Sequence, residues 1–210
     1  MRTVAARGVL TYAAELTGKR LVSVELAERF ELVVRELGPD GARPRLRIDL
    51  GPPDYDVGDL AVDGDTAWIA SADGTVRSYD LATGAGRATV HLGARATAVA
   101  LTPAYLVTGT DQGVVCLRRR SDRALLQCVA AHGGAVTIEA TGDRLLTAAH
   151  DGTVVLWALP SLAVVARHRV DGSANQARLS ADGRTVAIAV SGRPPVLGPG
   201  RPAAGADPSA

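Results

Sequence analysis

The stretch AAHDGTVVLWALPSL, residues 148–162, reads as two short strands joined by one tight turn. Asp151-Gly152 is the turn, because glycine supplies the positive φ that a two-residue hairpin connection requires. Thr153-Val154-Val155-Leu156-Trp157 is a β-branched and aromatic run, the composition of a strand. A polar turn follows, and then a third run, Ala163-Val164-Val165-Ala166-Arg167-His168.

Moving outward, the same grammar recurs in SADGTVRSYDLATG (71–84) and GTDQGVVCLRRRSDR (109–123). The shared glycines Gly74, Gly113 and Gly152 are 39 residues apart each time. A fourth run opens each following unit, as in Ala135-Val136-Thr137-Ile138-Glu139. Four short strands per ~40 residues, with turn signals every ~8–12, describe a β-propeller blade. Helical periodicity is weak almost throughout. The fold class is therefore all-β: a propeller of four-stranded antiparallel blades. Blades are expected at 59–95, 96–134 and 135–173, with a half blade at 174–192. The first 58 residues hold one looser blade, in which Arg20–Val24, Leu32–Leu37 and ARPRLRIDL (42–50) are strands. A short helix over Ala27–Glu36 competes for part of it. The tail 193–210, RPPVLGPGRPAAGADPSA, is Pro-, Gly- and Ala-rich and is expected to be disordered.

That amounts to about four and a half blades, whereas a closed ring has roughly four to eight. The ring is expected to be open or truncated. A fragment, a ring completed by a second copy, and a small closed ring all satisfy the count.

The fourth blade resembles a WD-repeat unit. In that family a His before the innermost strand, a Ser or Thr on the second, an Asp at the next turn and a Trp on the third strand form a hydrogen-bonded tetrad. His132, Thr147, Asp151 and Trp157 match by type and spacing, although Ala158 stands where the family's Trp-Asp pair ends. The second blade keeps Asp73 and Tyr79, and the third keeps only Thr108, with Gln112 and Arg118 replacing the Asp and Trp. The resemblance covers about residues 59–192. It implies a structural role for the tetrad and a chain that binds proteins without catalysing a reaction.

His132, Thr147 and Asp151 also have the residue types of a catalytic triad, but no oxyanion donors are recognisable, and a buried tetrad gives no access to substrate. No catalytic residue is assigned. His91, His132, His150 and His168 lack metal-ligand spacing, and the two cysteines form no CxxC, so neither metal nor cofactor is expected. SYDLATGAGRATV (78–90) resembles blades of quinone-cofactor dehydrogenases, but Val90 and His91 stand where a Trp belongs. A quinoprotein-like or lactonase-like propeller, or the sensor portion of a larger signalling protein, is the alternative.

Arg118, Arg119, Arg120 and Arg123 form the densest basic cluster. With aromatics at 3% and a net charge of +1, it reads as a solvated turn or as a docking patch for an acidic protein, not as a nucleic-acid footprint. Lys19 is the single lysine, an Arg/Ala bias that fits a GC-rich bacterial genome. No window approaches the ~18–20 apolar residues of a membrane span, and the first residues lack a signal-peptide core. Cytoplasmic location is expected, with Cys116 and Cys128 as reduced thiols, although their place on neighbouring strands of one hairpin makes a disulfide geometrically conceivable.

Overall fold

The structure is a computed structural model that describes residues 9–52, 56–180 and 182–200. It contains nineteen strands and no helix among these residues. They form five small antiparallel sheets, each built from strands consecutive in sequence. The chain divides into two compact units, Met1–Leu101 and Thr102–Ala210.

The first unit holds β1 (Leu10–Thr17), β2 (Arg20–Leu26), β3 (Phe30–Gly38) and β4 (Gly41–Gly51) as its first sheet. Its second sheet is β5 (Val57–Asp63), β6 (Thr66–Ser71), β7 (Thr75–Asp80) and β8 (Gly86–His91). Strand β9 (Ala96–Leu101) completes the unit. Alternate residues of β2 and β3 (Val22, Val24, Leu32 and Val34) share one core with Leu60, Ile69 and Leu81. The opposite face of the first sheet carries a buried ion pair. The Arg35 guanidinium donates to both Glu25 carboxylate oxygens and to Ser23 Oγ. No helix replaces Ala27–Glu36, because the core-facing alternation of Phe30, Leu32 and Val34 has a period of two.

The second unit begins with β10 (Tyr105–Thr110), β11 (Val114–Arg119) and β12 (Leu125–Ala130) of the third sheet. The fourth sheet is β13 (Val136–Thr141), β14 (Arg144–Ala149), β15 (Thr153–Ala158) and β16 (Ala163–Arg169). The fifth is β17 (Ala174–Leu179), β18 (Thr185–Val190) and β19 (Val196–Pro199). Both faces of the fourth sheet are buried, which explains the unbroken apolar run in β15. Leu145, Val155 and Trp157 join Val107, Val115 and Leu117. Leu146, Ala148, Val154 and Leu156 join Ala174, Val186 and Ile188. At ~25 cal/mol per Å² of apolar surface removed from water, such two-sided burial is the main stabilising term.

Two sequence expectations are corrected. The tail does not lose order at 193, because Val196–Pro199 pairs antiparallel with β18. Gly198 lets the strand lie against the His168 ring, which a Cβ there would approach to 2.9 Å. Pro199 is tolerated because β19 is an edge strand. Residues 201–210 of that tail lie outside the described residues.

The second correction concerns the cysteines. Cys116 and Cys128 are joined in a disulfide. They are direct cross-strand partners on β11 and β12, with their Cα atoms 4.1 Å apart, so the register itself brings the sulfurs together. The pair therefore gives no support to a cytoplasmic location.

Candidate functional site

The site with the most chemistry lies in the fourth sheet. Register pairs Leu145 with Trp157 and Thr147 with Val155, so these four residues share one face. His132 approaches from the segment after β12, fixed by its own N–H and that of Ala131, which both donate to Gly113 O. Gly113 has φ +79°, and a Cβ there would lie 1.9 Å from His132 O. The turn glycine thus makes room for the histidine's backbone.

Trp157 Nε1–H donates to Thr147 Oγ1 at 2.9 Å, and Thr147 Oγ1 lies 2.7 Å from His132 Nε2. His132 Nδ1 lies 2.7 Å from Thr153 Oγ1, which lies 2.6 Å from Asp151 Oδ1. Asp151 also accepts the N–H of Thr153 at 2.8 Å and of Gly133 at 2.7 Å. His132 and Asp151 are 3.7 Å apart, too far for a direct hydrogen bond; the Thr153 hydroxyl bridges them.

Donor and acceptor inventory assigns the protons. Partial burial pushes the Asp151 carboxyl up, but the Gly133 N–H and the Thr153 hydroxyl and N–H outweigh it and hold it at about 2. Asp151 is therefore ionised near neutrality and takes the Thr153 hydroxyl proton as acceptor. Thr153 Oγ1 must then accept from His132 Nδ1–H. Burial pushes the imidazole down, against the attraction of Asp151, so His132 is neutral and its Nε2 accepts from the Thr147 hydroxyl. The result is one directional chain of donors: Trp157, Thr147, His132, Thr153, Asp151.

The network joins all four residues expected from the sequence and adds Thr153, which the sequence reading missed. Thr153 had a signal: Asp-Gly-Thr occurs at 73–75 as well as at 151–153. In the second sheet, Asp73 Oδ1 likewise accepts from the N–H of Thr75 at 3.0 Å and its hydroxyl at 2.6 Å. Tyr79 packs there at the edge of the first core. The third sheet has Val114 at this position and no comparable network. Thr108 Oγ1 and Arg118 Nε are buried there without hydrogen-bond partners.

As a catalytic site the fourth-sheet cluster is closed. Thr147 is 0% exposed, and so is the His132 side chain, so no substrate carbonyl reaches the hydroxyl. Only the Asp151 carboxylate opens outward, into a groove of about 500 Å³ lined by Arg169, Val170, Asp171 and Gly172. Among the described residues, no three His, Cys, Asp or Glu side chains cluster as metal ligands.

The basic cluster does not form one patch. Arg118 turns inward, where burial pushes its guanidinium down, and it donates to Arg123 O at 3.2 Å. Arg119 pairs with Asp122 at 2.7 Å, and Arg120 donates to Thr102 O at 3.0 Å. Arg119 and Arg123 are the two exposed members.

A second device went unread in the sequence. Inner-strand carboxylates hold the next sheet by its backbone. Glu15 accepts the Val62 N–H at 2.9 Å, Asp59 that of Val99 at 3.0 Å, and Glu139 that of Leu179 at 3.1 Å. Asp59 and Glu139 each hold the N–H 40 residues further on, about one repeat, whereas Glu15 reaches 47.

No helix among the described residues is long and apolar enough to cross a membrane. No family model matches the chain, and no curated protein matches it. Among solved structures it is similar to the computationally designed Ika8 protein, with a TM-score of 0.74 and 17% identity. The match covers 89% of this chain and 57% of that one, so the chain spans a little over half its length; the likeness is one of fold alone.

Proposed function

We propose that this chain is a WD-repeat-like β-propeller protein that displays a rigid surface to protein partners and carries out no catalysis of its own. One observation carries the reading. The residues best equipped for chemistry are spent on one another: His132, Thr147, Thr153 and Trp157 satisfy each other inside a sheet, and their role there is to order strands. A framework so organised leaves its turns and outer strands to do the binding. A second copy is the proposed structural partner. The fifth sheet has three strands where the others have four, and Val196 and Leu197 are exposed on its edge strand.

Native mass spectrometry of the purified chain, with crosslinked affinity capture from its host, tests the reading. A protein retained at fixed stoichiometry, or a homodimer, is expected. A metal ion or organic cofactor retained at one per chain would overturn it.

A further inference from the structure

The third sheet lacks the network of the fourth and carries the disulfide instead. Its bridge ties β11 to β12 four residues before His132. Beyond the bridge, the ladder runs on through Val115–Val129 and Val114–Ala130 and ends at Gly113 O, which accepts the N–H groups of Ala131 and His132 at 2.9 and 3.2 Å. Apart from this ladder on one side, β12 is an edge strand held by few side chains, among them Gln127, whose Nε2 donates to Ser161 O at 3.1 Å. Leu125 and Leu126 are exposed, and of its side chains only Val129 joins the second-unit core at that end. Thr108, the cross-strand partner of Cys116, contributes no side-chain hydrogen bond.

We propose that the Cys116–Cys128 disulfide is a redox latch that sets His132 in place, so that its reduction loosens β12 and slackens the chain from Trp157 to Asp151. Cys128 is exposed and Cys116 is buried, so the exposed end receives the attack. A thiolate of a dithiol reductant bonds to Cys128 Sγ, the S–S bond breaks, and Cys116 leaves as a thiolate that takes a proton from water. The reductant's second thiol then attacks the mixed disulfide. Cys128 is released as a thiol, and the reductant departs as its own disulfide, having delivered two electrons. With the covalent tie gone, β12 opens against fewer constraints, and the Ala131 and His132 N–H groups lose their hold on Gly113 O.

The test compares the full chain, air-oxidised and then reduced with excess dithiothreitol, by amide exchange and by the indole N–H signal of Trp157, assigned with a Trp68→Phe variant. Opening of β12 is expected to rise on the order of a hundredfold, the scale of closing a loop of about a dozen residues. Exchange at Ala131, His132 and the Trp157 indole should rise together, amides of Ala174–Leu179 should keep their protection, and reoxidation should restore the first state. A Cys116→Val/Cys128→Ala variant should match the reduced chain and ignore the reductant. The proposal is overturned if the oxidised chain contains free thiols, or if full reduction leaves Ala131 and His132 protected. It is equally overturned if β12 loosens while the Trp157 signal stays fixed, or if exchange rises evenly across both units.

Discussion

Thr147 is the residue on which the fourth sheet's hydrogen bonding turns, and Thr147→Val isolates it. Valine keeps the shape and the β-branch, so no cavity forms and strand propensity is unchanged. The hydroxyl alone is lost. It now accepts from Trp157 Nε1–H at 2.9 Å and donates to His132 Nε2 at 2.7 Å, inside a sheet where Thr147 is 0% exposed. Both partners would stay buried without a replacement. Each orphaned group costs about 1–3 kcal/mol, which gives a loss of about 2–6 kcal/mol against a typical domain stability of about 5–15. For a unit of this size that corresponds to a fall in Tm on the order of 10–30 °C. Urea denaturation followed by circular dichroism and tryptophan fluorescence measures it. Trp157→Phe removes one partner and leaves Thr147 bonded to His132, so it should cost less at this hydroxyl. Adding Thr147→Val to Trp157→Phe should then cost less than it does in the native chain, a coupling of about 0.5–3 kcal/mol. A single-variant loss below about 0.5 kcal/mol, or strict additivity of the two, would refute the assigned chain of donors.

Further outcomes follow from the same geometry. His132 is held below its ordinary value of 6.5, so the unfolded chain binds its proton first; stability should be full above about pH 6.5 and fall as the pH drops below it, a slope that His132→Gln abolishes in pH-dependent urea titrations. Gly113→Ala places a Cβ 1.9 Å from His132 O at φ +79°, whereas Gly142→Ala meets open space at φ +58°. The latter should cost about 1 kcal/mol by thermal melting, while the former should prevent the second unit from folding. Glu139→Ala strips the acceptor from Leu179 N–H and should raise amide exchange in β17, with Glu139→Gln restoring protection because its amide oxygen still accepts. Truncation after Gly192 should deprotect β18, which would lose its β19 partner.

How much of this was legible in the sequence depends on whether a residue's role is repeated and local. The Asp-Gly turns and the runs around them repeat at a fixed interval, and turn chemistry acts within four residues, so the all-β character and the sheets of the second unit could be read directly. His132, Thr147, Asp151 and Trp157 were legible through the resemblance to a WD-repeat unit, whose tetrad they match by type and spacing. Thr153 was not, because a threonine opening a strand is ordinary composition until its hydroxyl is seen 2.7 Å from an imidazole. The tail misled because proline and glycine weigh toward disorder. Gly198 is in fact what allows close approach to His168, and Pro199 sits on an edge strand, where its missing N–H costs no bond to a further strand. The disulfide was legible only as a possibility, because the sequence places the cysteines on neighbouring strands while the register alone makes Cys116 and Cys128 direct partners, with their Cα atoms 4.1 Å apart.

That last point bears on why the repeats diverge. Each sheet has one problem to solve in its interior, which is how to bind its strands together across polar turns. The fourth sheet solves it with a relay that needs four side chains besides the indole, and losing any one of them orphans the others. The second sheet keeps the Asp73–Thr75 half of that solution. The third keeps almost nothing: Gln112, Val114 and Arg118 occupy the positions of Asp151, Thr153 and Trp157, and Thr108 Oγ1 is left unpartnered. It is also the sheet with the disulfide. A covalent tie tolerates the loss of every hydrogen-bonding partner around it, which a cooperative network does not. Installing Gln112→Asp and Val114→Thr together would rebuild the Asp–Thr half seen in the second sheet. If the bridge stands in for the network, that double change should make the reduced protein more stable by about 1–2 kcal/mol while changing the oxidised protein less. Equal gains in both redox states would show that bridge and network serve separate ends.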